Sequence, residues 1–100
     1  MEAGVKAAKA HWRGAVLVCA KCSKKVDGGF GPKGGERLAK ALRRAPGFGK
    51  GRKATVGVVE VKCLSLCPKN AVTVVDTRRP DAWLVVPAGA DVEALAARLS

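Results

Sequence analysis

The sequence predicts a small α/β domain on a four-stranded mixed sheet, with its elements in the order β-α-β-β-β-α. Four short, mostly Val-rich apolar runs, at residues 15–18, 55–62, 71–76 and 83–87, read as strands. Two segments, 36–45 and 91–99, repeat apolar residues at spacings of three and four, as a helix with one buried face requires. Gly and Pro breakers separate these runs.

Residues 1–13 are polar, Ala-rich and basic, and form a flexible N-terminal tail ahead of one domain at 14–100. The run Ala15-Val16-Leu17-Val18 is a buried strand that ends directly at Cys19-Ala20-Lys21-Cys22. Residues 23–35 read as a loop, broken by Gly28-Gly29 and Gly31-Pro32. Leu38, Ala41, Leu42 and Ala45 share the apolar face of the first helix, which Pro46-Gly47 stops. A mobile basic loop, 47–53, precedes the second strand. That strand runs straight into Cys63-Leu64-Ser65-Leu66-Cys67-Pro68. Pro80-Asp81 turns the third strand into the fourth as a hairpin, and Trp83, alternating with Val85, is assigned to the core. Asp91 caps the last helix, where Val92, Leu95, Ala96 and Leu99 fall at i, i+3, i+4 and i+7.

A helix between the first two strands permits them to pair in parallel. Their C-terminal ends then share one sheet edge. Each cysteine pair follows one of these strands, so the two pairs are expected to meet.

Nineteen Lys and Arg face eight Asp and Glu, for a net charge of +11. A field of this size attracts anionic partners: nucleic acid, an acidic membrane surface or an acidic protein. No apolar run approaches the roughly 20 residues that span a bilayer. Residues 15–20 are too short for a signal-peptide core. The expectation is a cytoplasmic protein without membrane insertion. In that compartment four cysteines read as metal ligands or redox groups before structural disulfides. No Ser/His/Asp set or carboxylate pair has a catalytic context, so no enzymatic activity of its own is expected. His11 reads as a polar tail residue, and the glycines of 28–35 do not make a phosphate loop.

Cys-x2-Cys with a distant Cys-x3-Cys is a specific signal for a four-cysteine metal site. A tight turn puts both sulfurs of a pair on one metal centre, and four thiolates enclose either a zinc ion or the two irons of a [2Fe–2S] cluster. Lys21, Lys24, Lys25, Lys62 and Lys69 lie beside these ligands in sequence and favour the thiolate form. Backbone N–H groups of 19–25 and 63–69 are the expected donors to sulfur.

Val16-Leu17-Val18-Cys19, the helix with Leu38 and Leu42, and Val59-Glu60-Val61-Lys62-Cys63-Leu64-Ser65-Leu66-Cys67-Pro68 together resemble the thioredoxin-like [2Fe–2S] ferredoxins. That family includes the small thioredoxin-fold iron–sulfur subunit of respiratory NADH dehydrogenase. Ala71-Val72-Thr73-Val74-Val75, Trp83-Leu84-Val85-Val86 and the helix opening at Asp91-Val92-Glu93 extend the resemblance to roughly residues 15–99. It implies a thioredoxin-like fold and a [2Fe–2S] cluster held by Cys19, Cys22, Cys63 and Cys67. It also implies one-electron transfer to an acidic redox protein or reductase, and allows a homodimer.

Only Ala20 and Lys21 separate the first pair, against about four or about a dozen residues in the family. This spacing suits one iron, a zinc ion or a thioredoxin-type dithiol. Two alternatives therefore stand beside the carrier. One is a zinc-stabilised basic module that binds nucleic acid, with 33–53 as its basic run but only Phe48 there to stack on bases. The other is a thiol–disulfide oxidoreductase using Cys19 and Cys22. A loop after Cys22, rather than a helix, argues against the second.

Overall fold

A computed structural model describes residues 4–100; the first three residues of the predicted tail lie outside them. Among the described residues the chain forms β1 (Gly14–Cys19), α1 (Ala20–Val26), α2 (Leu38–Arg43), β2 (Phe48–Gly49), β3 (Val56–Val61), β4 (Ala71–Asp76), β5 (Leu84–Pro87) and α3 (Val92–Leu99). The five strands make one mixed sheet in the order β2-β3-β1-β4-β5. β1 pairs in parallel with β3, Cys19 opposite Val61, and antiparallel with β4, Val18 opposite Val74. β5 pairs antiparallel with β4, as the hairpin at Pro80-Asp81 requires.

The fifth strand corrects the four-strand expectation. Phe48-Gly49, read as part of a mobile loop, pairs with Val56-Gly57. Phe48 is buried, and this anchoring draws its backbone onto the edge of β3. A second correction concerns the segment after Cys22. The first four residues of the predicted loop, 23–26, belong instead to α1, which closes at Asp27 in a left-handed conformation (φ 55). Its short, Lys-rich sequence has no apolar periodicity, so its helicity comes from its N-cap and packing.

One core unites these elements. Val16, Val18, Val56, Val58, Val72, Val74 and Val86 project from the sheet onto Leu38, Leu42, Ala96 and Leu99 of α2 and α3. Asp91 caps α3, its carboxylate accepting from the N–H groups of Glu93 and Ala94. Trp83 is 43% exposed and its neighbour on that face, Val85, 49%, which removes Trp83 from the core to which alternation assigned it. Trp83 sits before the edge strand β5, and its indole N–H donates to Pro80 O at 2.9 Å.

Parallel pairing of β1 with β3 brings the C-terminal ends of both strands to the same edge, where antiparallel β4 begins. Residues 62–70 cross that edge, and both cysteine pairs lie there. No helix among the described residues is long and apolar enough to cross a membrane.

Candidate functional site

Cys19 ends β1 and is the N-cap of α1. Its extended backbone (φ −66, ψ 113) lets the sulfur accept the N–H of Cys22 at 3.5 Å. The side chain is fully buried. Burial pushes its thiol pKa up. The N–H groups of Cys22, Leu64 and Lys21, together with the Cys22 thiol, outweigh that and hold it below the usual value.

Cys22, one turn on, is 2% exposed. Its thiol donates to Leu66 O at 3.6 Å. Burial pushes this thiol up, and the adjacent Cys19 adds to the shift; Thr73 opposes it and loses. The pair is thus asymmetric, with Cys19 the more acidic partner.

The second pair belongs to the loop after β3. Cys63 and Cys67 are exposed, with their sulfurs 4.0 Å apart. A tetrahedral centre with metal–sulfur bonds of about 2.3 Å holds its sulfurs about 3.8 Å apart. This pair fits one metal centre with little adjustment. Ser65 takes a left-handed conformation (φ 66), and its N–H donates to the Cys63 sulfur at 3.3 Å. Positive φ is uncommon for a residue with a Cβ and marks a conformation imposed by its surroundings.

Leu66 joins the two pairs. Its carbonyl accepts from Cys22 Sγ and from the buried Thr73 Oγ1, the latter at 2.9 Å. The loop 63–67 is thereby fastened to both α1 and β4. Behind Cys19, Ser23 Oγ donates to Cys19 O at 2.9 Å. Arg37 Nη2 donates to Ala20 O at 3.3 Å and lies 3.1 Å from Glu60 Oε2. These contacts tie the first turn of α1 to β3.

All four predicted ligands therefore lie at one end of the sheet, as two pairs. Among the described residues no three His, Cys, Asp or Glu side chains group around one position suited to a metal ion. The backbone donors expected of both loops are present at Cys22 and Ser65. Thr73, Ser65 and the Leu66 carbonyl were not legible beforehand. The available signal was Thr73, a hydroxyl interrupting the apolar run of β4. Lys21, Lys24, Lys25, Lys62 and Lys69 are all exposed around this end. A groove of about 850 Å³ between α2 and α3 contains no cysteine and lies apart from the site.

Comparison with protein-family models, curated proteins and solved structures gives no match to this chain.

Proposed function

We propose that this chain is a one-electron carrier holding a single [2Fe–2S] cluster on a thioredoxin-like fold. Cys19 and Cys22 hold one iron, and Cys63 and Cys67 the other. The observation that carries the reading is the joining of two thiol pairs, 44 residues apart, through the carbonyl of Leu66. The donor set fits: four thiols, one pair already near the spacing of a shared metal centre, and N–H groups aimed at sulfur. When bound, the cluster supplies reversible one-electron chemistry.

The chain's own groups then divide the work. Cys19 and Cys22 anchor from the core, while Cys63 and Cys67 form the solvent-facing side through which a partner approaches. Lys21, Lys24, Lys25, Lys62 and Lys69 offset thiolate charge and offer a positive rim to an acidic redox protein. A single zinc ion would need all four sulfurs in one tetrahedron, which two separate pairs support less well than two irons.

Thiol–disulfide exchange is a second reading, and one observation favours it. Cys19 leads directly into a helix and is the more acidic of its pair. Against it, both sulfurs are buried, and an attacking thiolate must reach its substrate.

Iron and acid-labile sulfide content, with a visible spectrum, on anaerobically purified protein separates these readings. Two irons and two sulfides per chain are expected, with visible bands that bleach on reduction. Single Cys→Ser changes at any of the four positions should impair binding. Zinc without sulfide after attempted reconstitution would overturn the carrier. So would disulfide reductase activity that needs only Cys19 and Cys22.

A further inference from the structure

The end of the sheet opposite the thiols carries a dense cationic cluster built around a tryptophan. Residues 11–13 run beside the loop that leads into β3. His11 N–H donates to Arg52 O at 2.8 Å, and Arg13 N–H to Thr55 O at 2.7 Å. The Trp12 indole N–H donates to Gly51 O at 2.8 Å. The last residues of the basic tail are thus laced to the basic loop, and two charged segments far apart in sequence become one surface. Arg13, Lys50, Arg52 and Lys53 are exposed on it. Among the described residues none of them has a carboxylate within 4.0 Å. The sequence holds no Asp or Glu between Glu36 and Glu60.

Trp12 lies face-on over Gly57, where a Cβ would collide equally with three carbons of its six-membered ring. One face of the indole is therefore covered by β3. The side chain is only partly buried, so some of the indole remains accessible to solvent beside these exposed cations. The basic run contains Phe48, which is 8% exposed and unavailable for stacking. The fold supplies in its place an aromatic from another segment. β1 is six residues long, so about 20 Å separates this surface from Cys19.

We infer that this end binds single-stranded nucleic acid, with a base stacked on Trp12 and phosphates held by Arg13, Lys50, Arg52 and Lys53. A solvent-accessible aromatic ring among unpaired cations is what single strands use. Bases within a duplex are already stacked and present no free face. A membrane would use an aromatic that can insert, whereas Trp12 is held flat with its N–H bonded to the protein. An acidic protein would meet the cations but has no need of the ring. The inference is independent of the cluster, since the two ends do not overlap.

Fluorescence anisotropy of labelled DNA and RNA strands of about 12 nucleotides, titrated with the full chain, tests it. Phosphatidylglycerol vesicles and polyglutamate serve as the competing anions, and the titrations are repeated on protein stripped of metal by chelation. Binding should survive the stripping. It should weaken steeply between about 50 and about 200 mM salt, with a log–log slope of about −0.7 per phosphate contact. Joint replacement Lys50→Ala, Arg52→Ala and Lys53→Ala should weaken it by about tenfold or more. Lys21→Ala, Lys24→Ala and Lys25→Ala, at the thiol end, should weaken it far less. Trp12→Leu should cost about fivefold or more. Because Trp12 also covers β3, quenching of its emission by the strand in a Trp83→Phe background is the second readout. Failure to bind at low salt, equal binding of vesicles or polyglutamate, indifference to the loop triple, or absence of quenching would each overturn the inference.

Discussion

The Cys22 thiol donates to the carbonyl of Leu66 at 3.6 Å, and Thr73 Oγ1 donates to the same oxygen at 2.9 Å. One backbone oxygen thus holds the exposed cysteine loop against both the helix and the strand beneath it. Thr73→Val keeps the shape of the side chain and removes its donor. The expected cost is about 0.5–1.5 kcal/mol in urea unfolding, with faster alkylation of Cys22 in metal-free protein. Unchanged alkylation would show that Thr73 does not fasten the loop.

Ser65 tests whether the loop conformation is imposed. With φ at 66, Ser65→Gly removes the Cβ clash and should stabilise the metal-free protein by up to about 1 kcal/mol. Ser65→Val, β-branched in the left-handed region, should destabilise by about 1–3 kcal/mol and impair metal loading. Urea midpoints and metal content of the two variants give the comparison. Equal behaviour would mean that the left-handed turn is not needed.

The two buried thiols give opposite pH dependences in metal-free protein. The folded pKa of Cys19 lies below the ordinary value of 9.0, so its stabilising contribution is present above 9.0 and is lost as pH falls through the folded value. That of Cys22 lies above 9.0, so its contribution is full below 9.0 and is lost as pH rises through the folded value. Cys19→Ser should flatten the rise in urea midpoint below about pH 9, and Cys22→Ser the fall above it. Midpoints measured across that range, parallel for both variants, would contradict the asymmetry.

Gly57 and Trp12 form a matched pair on β3. Gly57→Ala drives a methyl group against the face of the indole, closer than van der Waals contact allows, so the ring must move away. Loss of about 1–3 kcal/mol is expected, with a red shift of Trp12 emission measured in a Trp83→Phe background. Gly57→Ala with Trp12→Ala should recover part of the stability, because the clash is gone. No recovery would place the cost in β3 itself.

Much of this arrangement was legible in the residues. The four long strands follow from Val-rich runs, α3 from its spacing and Asp91 cap, and the shared edge from a helical connection between parallel strands. α1 was hidden because Lys21, Lys24 and Lys25 give it no apolar stripe, while Cys19 supplies the cap that a Ser or Asp would signal. β2 was hidden because two residues cannot show a period. Trp83 was misplaced because alternation reports which face a side chain takes, not whether anything covers that face. In the site, the cysteines announced themselves by spacing. Their supports did not, since a backbone carbonyl such as that of Leu66 has no sequence signature.

The parallel pairing of β1 with β3 also governs when the thiol end can come into being. α1, α2 and β2 all lie between the paired strands, so a long stretch of chain must close before Cys19 and Cys63 become neighbours. Closure entropy is lost before any contact across the pair compensates it, which makes such pairings slow. During synthesis Cys19 and Cys22 emerge well before Cys63 and Cys67. On the proposed reading, metal delivered after the sheet has closed would meet all four thiols at once. Metal delivered earlier would meet only two, so on that reading the order of chain closure and metal arrival would decide which product forms.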